Sequence, residues 1–207
     1  PTTTGNDAVG IQYGGTIAAP YGAFPFAVIP GISGDLCFET RIKVSTIATT
    51  AASGDFFIGL AGAAGVNPLT AILPILDDDS LTDTISFLGF GKIVGATTGA
   101  IGLYWQRVSG TTAVIASVAT MVAATYIKLG FRYDGAKETL TPFVDGVPVA
   151  AAKRVARGTG TATYPFTGQT PWPNDYMTPL VAVHEVGTAA EVVTLDWWAC
   201  AQLSELK

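Results

Sequence analysis

Residues 126–135 read YIKLGFRYDG, and their alternation decides the class of fold. Ile127, Leu129, Phe131 and Tyr133 fall on one face of an extended chain, and Lys128, Gly130 and Arg132 fall on the other. A period of two is that of a strand with one face buried. Asp134-Gly135 predicts a tight turn, residues 139–144 a second strand, and Asp145-Gly146 a second hairpin before Val147. Residues 36–44 repeat the pattern upstream, with Leu36, Phe38, Ile42 and Val44 apolar and Glu39, Arg41 and Lys43 on the opposite face. Further strands are predicted over residues 55–60, 84–90, 101–107, 112–120, 180–186 and 192–203. One helical turn is predicted at Asn67-Pro68, a cap residue followed by proline. Many short strands with turn signals between them predict an all-β fold of two antiparallel sheets packed as a sandwich.

Residues 1–34 do not share this pattern. Gly14-Gly15, Pro20, Pro25, Pro30, Gly31 and Gly34 break any helix and disfavour long strands. Ile11, Tyr13, Ile17, Tyr21, Phe24 and Phe26 are nevertheless apolar, and disordered tails carry few such residues. The segment reads as an extended N-terminal arm, packed either on its own domain or on a neighbouring subunit. The expected organisation is an arm over residues 1–34 and one sandwich domain over residues 35–207.

Composition narrows the function classes. Of 207 residues 13% are charged and 49% hydrophobic, against roughly 25% charged in an average soluble domain. Low hydrophobicity with high net charge marks disorder, and this chain has the reverse. Sustained heptads and a Gly-X-Y repeat are both missing, which excludes coiled coil and collagen. The formal net charge is −5, and Lys153, Arg154 and Arg157 form the only basic cluster. Nucleic-acid binding needs a larger cationic footprint, so no nucleic-acid partner is expected. The apolar stretches are interrupted well before the roughly 20 residues of a membrane helix, and no basic region precedes an apolar leader. A soluble protein made in the cytoplasm, without a membrane partner, is expected. Two cysteines, Cys37 and Cys200, are too few for a disulfide framework. Free thiols are expected in a reducing compartment.

Three segments carry a family resemblance. They are KLGFRYDG at residues 128–135, LTPFVDGVPV at residues 140–149 and LDWW at residues 195–198. Together they resemble the concanavalin A-like jelly-roll sandwich of the laminin G and pentraxin type. In that fold a strand–YDG–strand–VDG hairpin precedes a closing strand. With the Pro- and aromatic-rich link over residues 164–179, the chain is similar to sandwich domains of tailed-bacteriophage virion proteins. The resemblance covers about residues 35–203. It implies that the first and last strands of the sandwich pair. Asp196 would then oppose a basic residue of the first strand, and Cys37 and Cys200 would lie on one face.

The candidate chemistry is sparse. A retaining glycosidase needs two carboxylates about 5–5.5 Å apart. Acids two residues apart on a strand would supply them, and no predicted strand has that spacing. His184, the only histidine, adjoins Glu185 on a predicted strand, so their side chains diverge. A nucleophile elbow is missing too, and no enzymatic activity is expected. Asp77, Asp78, Asp79 and Asp83 form the only acidic cluster and are weak candidates for a calcium site; no metal or other cofactor is expected. Tyr164, Phe166, Trp172 and Tyr176 lie among Pro165, Pro171, Pro173 and Pro179, and read either as a preorganised glycan platform or as core and interface packing. Of Trp197 and Trp198, adjacent on a strand, one is expected to face the core and the other outward. The resemblance and the low charge together imply a structural virion protein on the capsid surface. It would be a decoration or cement protein, with the major capsid protein and copies of itself in a homotrimer as partners. Ile11, Tyr13, Ile17, Tyr21, Phe24 and Phe26 would make the partner contacts. The alternative is a carbohydrate- or receptor-binding module of a phage appendage.

Overall fold

The computed structural model describes residues 6–13, 26–29, 33–47, 55–62, 85–92, 99–110, 112–151, 155–156, 172–186 and 192–203. These contain thirteen strands and no α-helix. A seven-stranded antiparallel sheet has the order β1 (Asn6–Gln12), β12 (Asp175–Val186), β4 (Asp55–Gly62), β5 (Ser86–Lys92), β6 (Ala100–Gln106), β7 (Ala113–Thr120), with β2 (Phe26–Val28) also on β12. A six-stranded sheet has the order β10 (Val147–Pro148), β9 (Thr139–Val144), β8 (Ile127–Asp134), β3 (Leu36–Val44), β13 (Val193–Gln202), with β11 (Val155–Ala156) also on β9. The helical turn predicted at Asn67-Pro68 lies outside the described residues.

The hairpin that opened the sequence reading forms as expected. On β8, Ile127, Leu129, Phe131 and Tyr133 are buried, and Arg132 is exposed. Asp145 and Gly146 take φ of 50° and 79°. Both values lie in the left-handed region that a two-residue hairpin turn of type I′ requires. Glycine meets that requirement without steric cost, and aspartate is among the few residues that tolerate it.

The core lies between the sheets. Phe131 stacks on Phe38 of its own sheet at 5.3 Å and meets Phe90 of the other sheet at 6.1 Å. Leu36, Ile42, Leu129 and Leu140 from one sheet and Phe56, Ile58, Leu88 and Leu103 from the other complete the same buried cluster. Strands β4 and β5 are buried along both faces. On the face turned away from this core, Phe57 packs edge-on against Phe87 at 5.6 Å. That packing uses glycine. A Cβ on Gly89 would stand 2.6 Å from Cζ of Phe57 and 2.5 Å from the Ile58 carbonyl oxygen.

The first and last strands of the sandwich do pair: β3 and β13 are antiparallel over nine registered positions. A β-bulge interrupts them between Leu195 and Trp197. The bulge leaves Asp196 without a strand partner and turns it to Arg41, whose Nη1 donates to Asp196 Oδ2 at 2.6 Å. On the other side the Thr40 hydroxyl donates to the Trp197 carbonyl at 3.0 Å. The expected Asp196 partner is therefore found.

The expected thiol arrangement is not. The extra residue advances the register by one, so Ala201 faces Cys37 and Cys200 faces Phe38. Cys200 packs against the core, whereas Cys37 is exposed on the outward face. Both cysteines are free. The same shift puts Trp198 against the core and Trp197 beside Lys128.

Two pieces of the segment read as an arm are strands of the sandwich. β1 pairs along β12 from Asn6↔Val186 to Gln12↔Leu180, and β2 pairs with the start of the same strand. Ala27 N–H donates to Gln202 Oε1 at 2.9 Å, and Gln202 Nε2 donates back to the Ala27 carbonyl, which ties β2 to the last strand of the opposite sheet. Sequence reading starts β12 too late, at residue 180, because Pro179 argues against a central strand. The structure accommodates it. Pro179 has no N–H to offer its partner Tyr13, and the Thr178 hydroxyl donates to the Tyr13 carbonyl instead.

Candidate functional site

β12 positions three of the residues singled out for partner contact. Ile11 is paired with the buried Val181, the Tyr13 N–H bonds to the Pro179 carbonyl at 3.0 Å, and Phe26 is paired with the buried Met177. Positions 177, 179 and 181 alternate onto one face of β12. Ile11, Tyr13 and Phe26 therefore line up along the same face of the seven-stranded sheet, at its edge. Phe26 packs against the core, while Ile11 is 58% and Tyr13 63% exposed. The outcome is a rim of apolar side chains that the sandwich itself does not cover. Ile17, Tyr21 and Phe24 lie outside the described residues.

Trp172 and Tyr176 separate. Trp172 is 4% exposed and lies 5.1 Å from the Tyr133 ring and 6.4 Å from Trp105. It closes one end of the core and cannot present a face to a ligand. Tyr176 is 38% exposed at the start of β12, beside Asp175, whose carboxyl is shifted up by burial. Tyr164, Phe166, Asp77, Asp78, Asp79 and Asp83 lie outside the described residues. Among the described residues no group of three or more His, Cys, Asp and Glu is placed to hold a metal ion.

A concave feature elsewhere was not anticipated. The outward face of the six-stranded sheet carries an open groove of about 400 Å³. Gly130 on β8 with Ala199 and Ala201 on β13 leave its floor low. Phe143, directly across the ladder from Gly130, forms one wall, and Cys37, Glu39 and Arg132 stand along it. Cross-strand ion pairs hold the two charged groups. Lys128 Nζ is 3.1 Å from Glu39 Oε1, and Arg132 Nη2 is 2.6 Å from Asp35 Oδ2. The hydrogen bond and charge of Asp35 raise the Arg132 pKa further above its ordinary value. Asp35 also accepts from the Gly135 N–H at 3.1 Å. The sequence signal was the run of small residues at outward positions of strands otherwise lined by charge. Just inside the sheet, burial, with a smaller effect from Cys37, pushes the Cys200 thiol up to about 12.

No family model matches the sequence, nor does any curated protein sequence. Among solved structures, peanut lectin in complex with a nine-residue peptide superposes with a TM-score of 0.55 at 11% identity, over 97% of this chain and 82% of that one. An endo-1,3-β-glucanase from Streptomyces sioyaensis gives 0.51 at 16% identity, over 86% of this chain and 67% of that one. These likenesses show the fold, a concanavalin A-like jelly-roll sandwich. One of them corrects the sequence reading. A glucanase has this fold, so the expectation of no enzymatic activity does not stand. Its physical weakness is visible here. Spacing along one strand is only one way to pair two acids, and a sheet also brings together residues of neighbouring strands. Asp55 and His184 are cross-strand partners on β4 and β12, both buried, and no spacing along the sequence announces them. At 16% identity the likeness assigns no reaction to this chain.

Proposed function

We propose that the chain is a structural protein of a tailed-phage virion, a decoration protein that sits on the capsid surface and bridges capsid subunits and copies of itself. The observation that supports this reading is the apolar rim on β1, where Ile11 and Tyr13 project from the edge of a sheet. Large apolar side chains held out of the core by regular backbone pairing suit an interface better than a free surface. A chain with 13% charged residues has little charge with which to keep such a rim apart from other proteins. On a shell, the same modest contact repeats under symmetry, and multivalency multiplies it.

Deleting residues 1–34 would remove β1 and β2 and so test folding as much as assembly. The double variant Ile11→Ser, Tyr13→Ser keeps the backbone ladder. Burial of two such side chains contributes about 2–4 kcal/mol, given their partial exposure here, equivalent to a loss of roughly thirty-fold or more in affinity. Titration of undecorated heads with wild-type and variant protein reads this directly. Equal binding by both proteins would remove the rim from the interface.

The outward groove favours a second reading, a carbohydrate- or receptor-binding module. Phe143 offers a ring for stacking, and Glu39 and Arg132 offer an acceptor and a donor beside it. Glycan titration with Phe143→Ala as the control tests that reading, since Trp172 belongs to the core.

A further inference from the structure

The pairing of β13 with β3 is fixed at one end and adjustable at the other. Val193, Thr194 and Leu195 face Val44, Lys43 and Ile42, and Val192 and Ser45 exchange two hydrogen bonds of 2.9 Å just before them. From Trp197 onward the register is one residue ahead, because Asp196 is held out of the ladder as a bulge. β13 closes the end of its sheet, and among the described residues only β3 pairs with it. Drawing Asp196 into the ladder therefore disturbs one pairing alone. A slip of one residue turns every side chain of residues 197–202 to the opposite face.

The two faces are matched for that exchange. Trp198 and Cys200 pack against the core, and Gln202 alternates with them. Trp197, Ala199 and Ala201 point outward, the first beside Lys128 and the others into the groove. After the slip the core holds Trp197 for Trp198 and alanines for Cys200 and Gln202. Asp196 stands directly opposite Arg41, so their ion pair is kept. Trp198 faces Glu39, and Cys200 faces Cys37. Opposed residues of an antiparallel ladder have Cα atoms about 4.5–5.5 Å apart, inside the range of about 4.4–6.8 Å that a disulfide spans. In the bulged register the two thiols lie on opposite faces and cannot be joined.

We propose that Cys37 and Cys200 form a redox switch: oxidation takes Asp196 into the ladder, slips β13 by one residue and locks the new register with a disulfide. The exposed Cys37 reacts first. Its thiolate attacks a small disulfide such as glutathione disulfide, and one glutathione thiolate leaves. When the slip brings Cys200 outward, its thiolate attacks the Cys37 sulfur and displaces the second glutathione thiolate. Two protein thiols are oxidised, one glutathione disulfide is reduced, and the two protons pass to the glutathione thiolates. Without the bridge the bulged register is the stable one, held by the Leu203 N–H on the Asp35 carbonyl at 2.8 Å and by the two bonds of the Gln202 amide to Ala27. Both are given up on oxidation, and the loss of the second loosens β2 in the opposite sheet. On the outward face Trp198 replaces Ala199 and the disulfide replaces Ala201, so the floor of the groove is filled.

The test treats the full-length protein with glutathione disulfide and follows it by non-reducing peptide mapping and tryptophan fluorescence. A Cys37–Cys200 disulfide within one chain is expected. Trp198→Phe retains Trp197, and its emission is expected to move to shorter wavelength on oxidation. Trp197→Phe retains Trp198, and its emission is expected to move to longer wavelength. The Ala27 amide is expected to exchange faster in the oxidised protein. Deleting Asp196 removes the residue that slips in: Trp197 then follows Leu195 straight into its place opposite Arg41, and Cys200 stays inward. That variant is expected to keep Cys200 reduced under the same treatment. Glutathione on Cys37 with Cys200 still reduced in the wild type, a disulfide between two chains, tryptophan shifts that are missing or of one sign, or a Cys37–Cys200 disulfide in the deletion variant would each overturn the switch. Neither a shell nor a glycan enters the test, so its failure leaves both readings of the function standing.

Discussion

Replacing Trp172 with alanine separates a core role from a ligand-binding role. The indole is almost fully buried, between Tyr133 and Trp105. Burial of about 200 Å² of aromatic surface at about 25 cal/mol/Å² gives about 5 kcal/mol as an upper figure. Truncations of buried Trp and Phe to alanine cost about 3–5 kcal/mol. A domain of this size is stable by about 5–15 kcal/mol, so Trp172→Ala is expected to remove about a fifth of the stability or more. With a urea dependence of about 2–3 kcal/mol per molar, the unfolding midpoint falls by roughly 1–2 M at unchanged slope. Tyr176→Ala is the matched control at a half-exposed aromatic on the same segment and is expected to lose about 1 kcal/mol or less. The assay is equilibrium urea unfolding followed by tryptophan fluorescence and circular dichroism. A Trp172→Ala loss below about 0.5 kcal/mol, the range of an exposed side chain, would refute the core assignment.

Thiol labelling of the native protein near pH 8 is expected to modify Cys37 alone, with Cys200 reacting only after unfolding; two equal native rates would contradict the opposite-face placement. Because burial raises the folded pKa of Cys200 from 9.0 to about 12, its contribution to stability is complete below pH 9 and is lost as pH rises toward 12. Cys200→Ala should flatten the fall in melting temperature over that window, and an unchanged alkaline limb would count against it. Thr178→Val removes the hydroxyl that replaces the missing N–H of Pro179, and is expected to cost about 1 kcal/mol in urea unfolding; no loss would mean that the bond carries nothing. Gly89→Ala forces a methyl against the Phe57 ring and the Ile58 carbonyl, and is expected to cost about 1–3 kcal/mol. A neutral result there would show that β4 and β5 can part.

The β8–β9–β10 hairpin was legible because each link is local. Alternation sets the faces of Ile127 to Tyr133, and Asp145-Gly146 supplies the left-handed turn that joins the strands. The pairing of β3 with β13 was legible only through resemblance, since no local signal joins residues so far apart. β1 was hidden by the breakers that follow it, although Val9, Ile11 and Tyr13 do alternate. The early start of β12 was hidden by Pro179, because the hydroxyl that offsets the proline acts across strands. The faces of the thiols were misjudged for a similar reason. Nothing in LDWWAC marks a bulge; it exists because Arg41 draws Asp196 outward while Thr40 takes the Trp197 carbonyl. The groove arises from small residues on β8 and β13, and only their register on β3 brings them together.

Electron cryomicroscopy of intact particles that carry this protein tests its role most directly. A decoration protein would appear as a two-sheet sandwich on the outer shell, at fixed copy number, with the β1 edge turned into contact with a neighbouring subunit. Density confined to a tail or fibre tip, or a shell that carries the sandwich with Ile11 and Tyr13 facing open solvent, would contradict it.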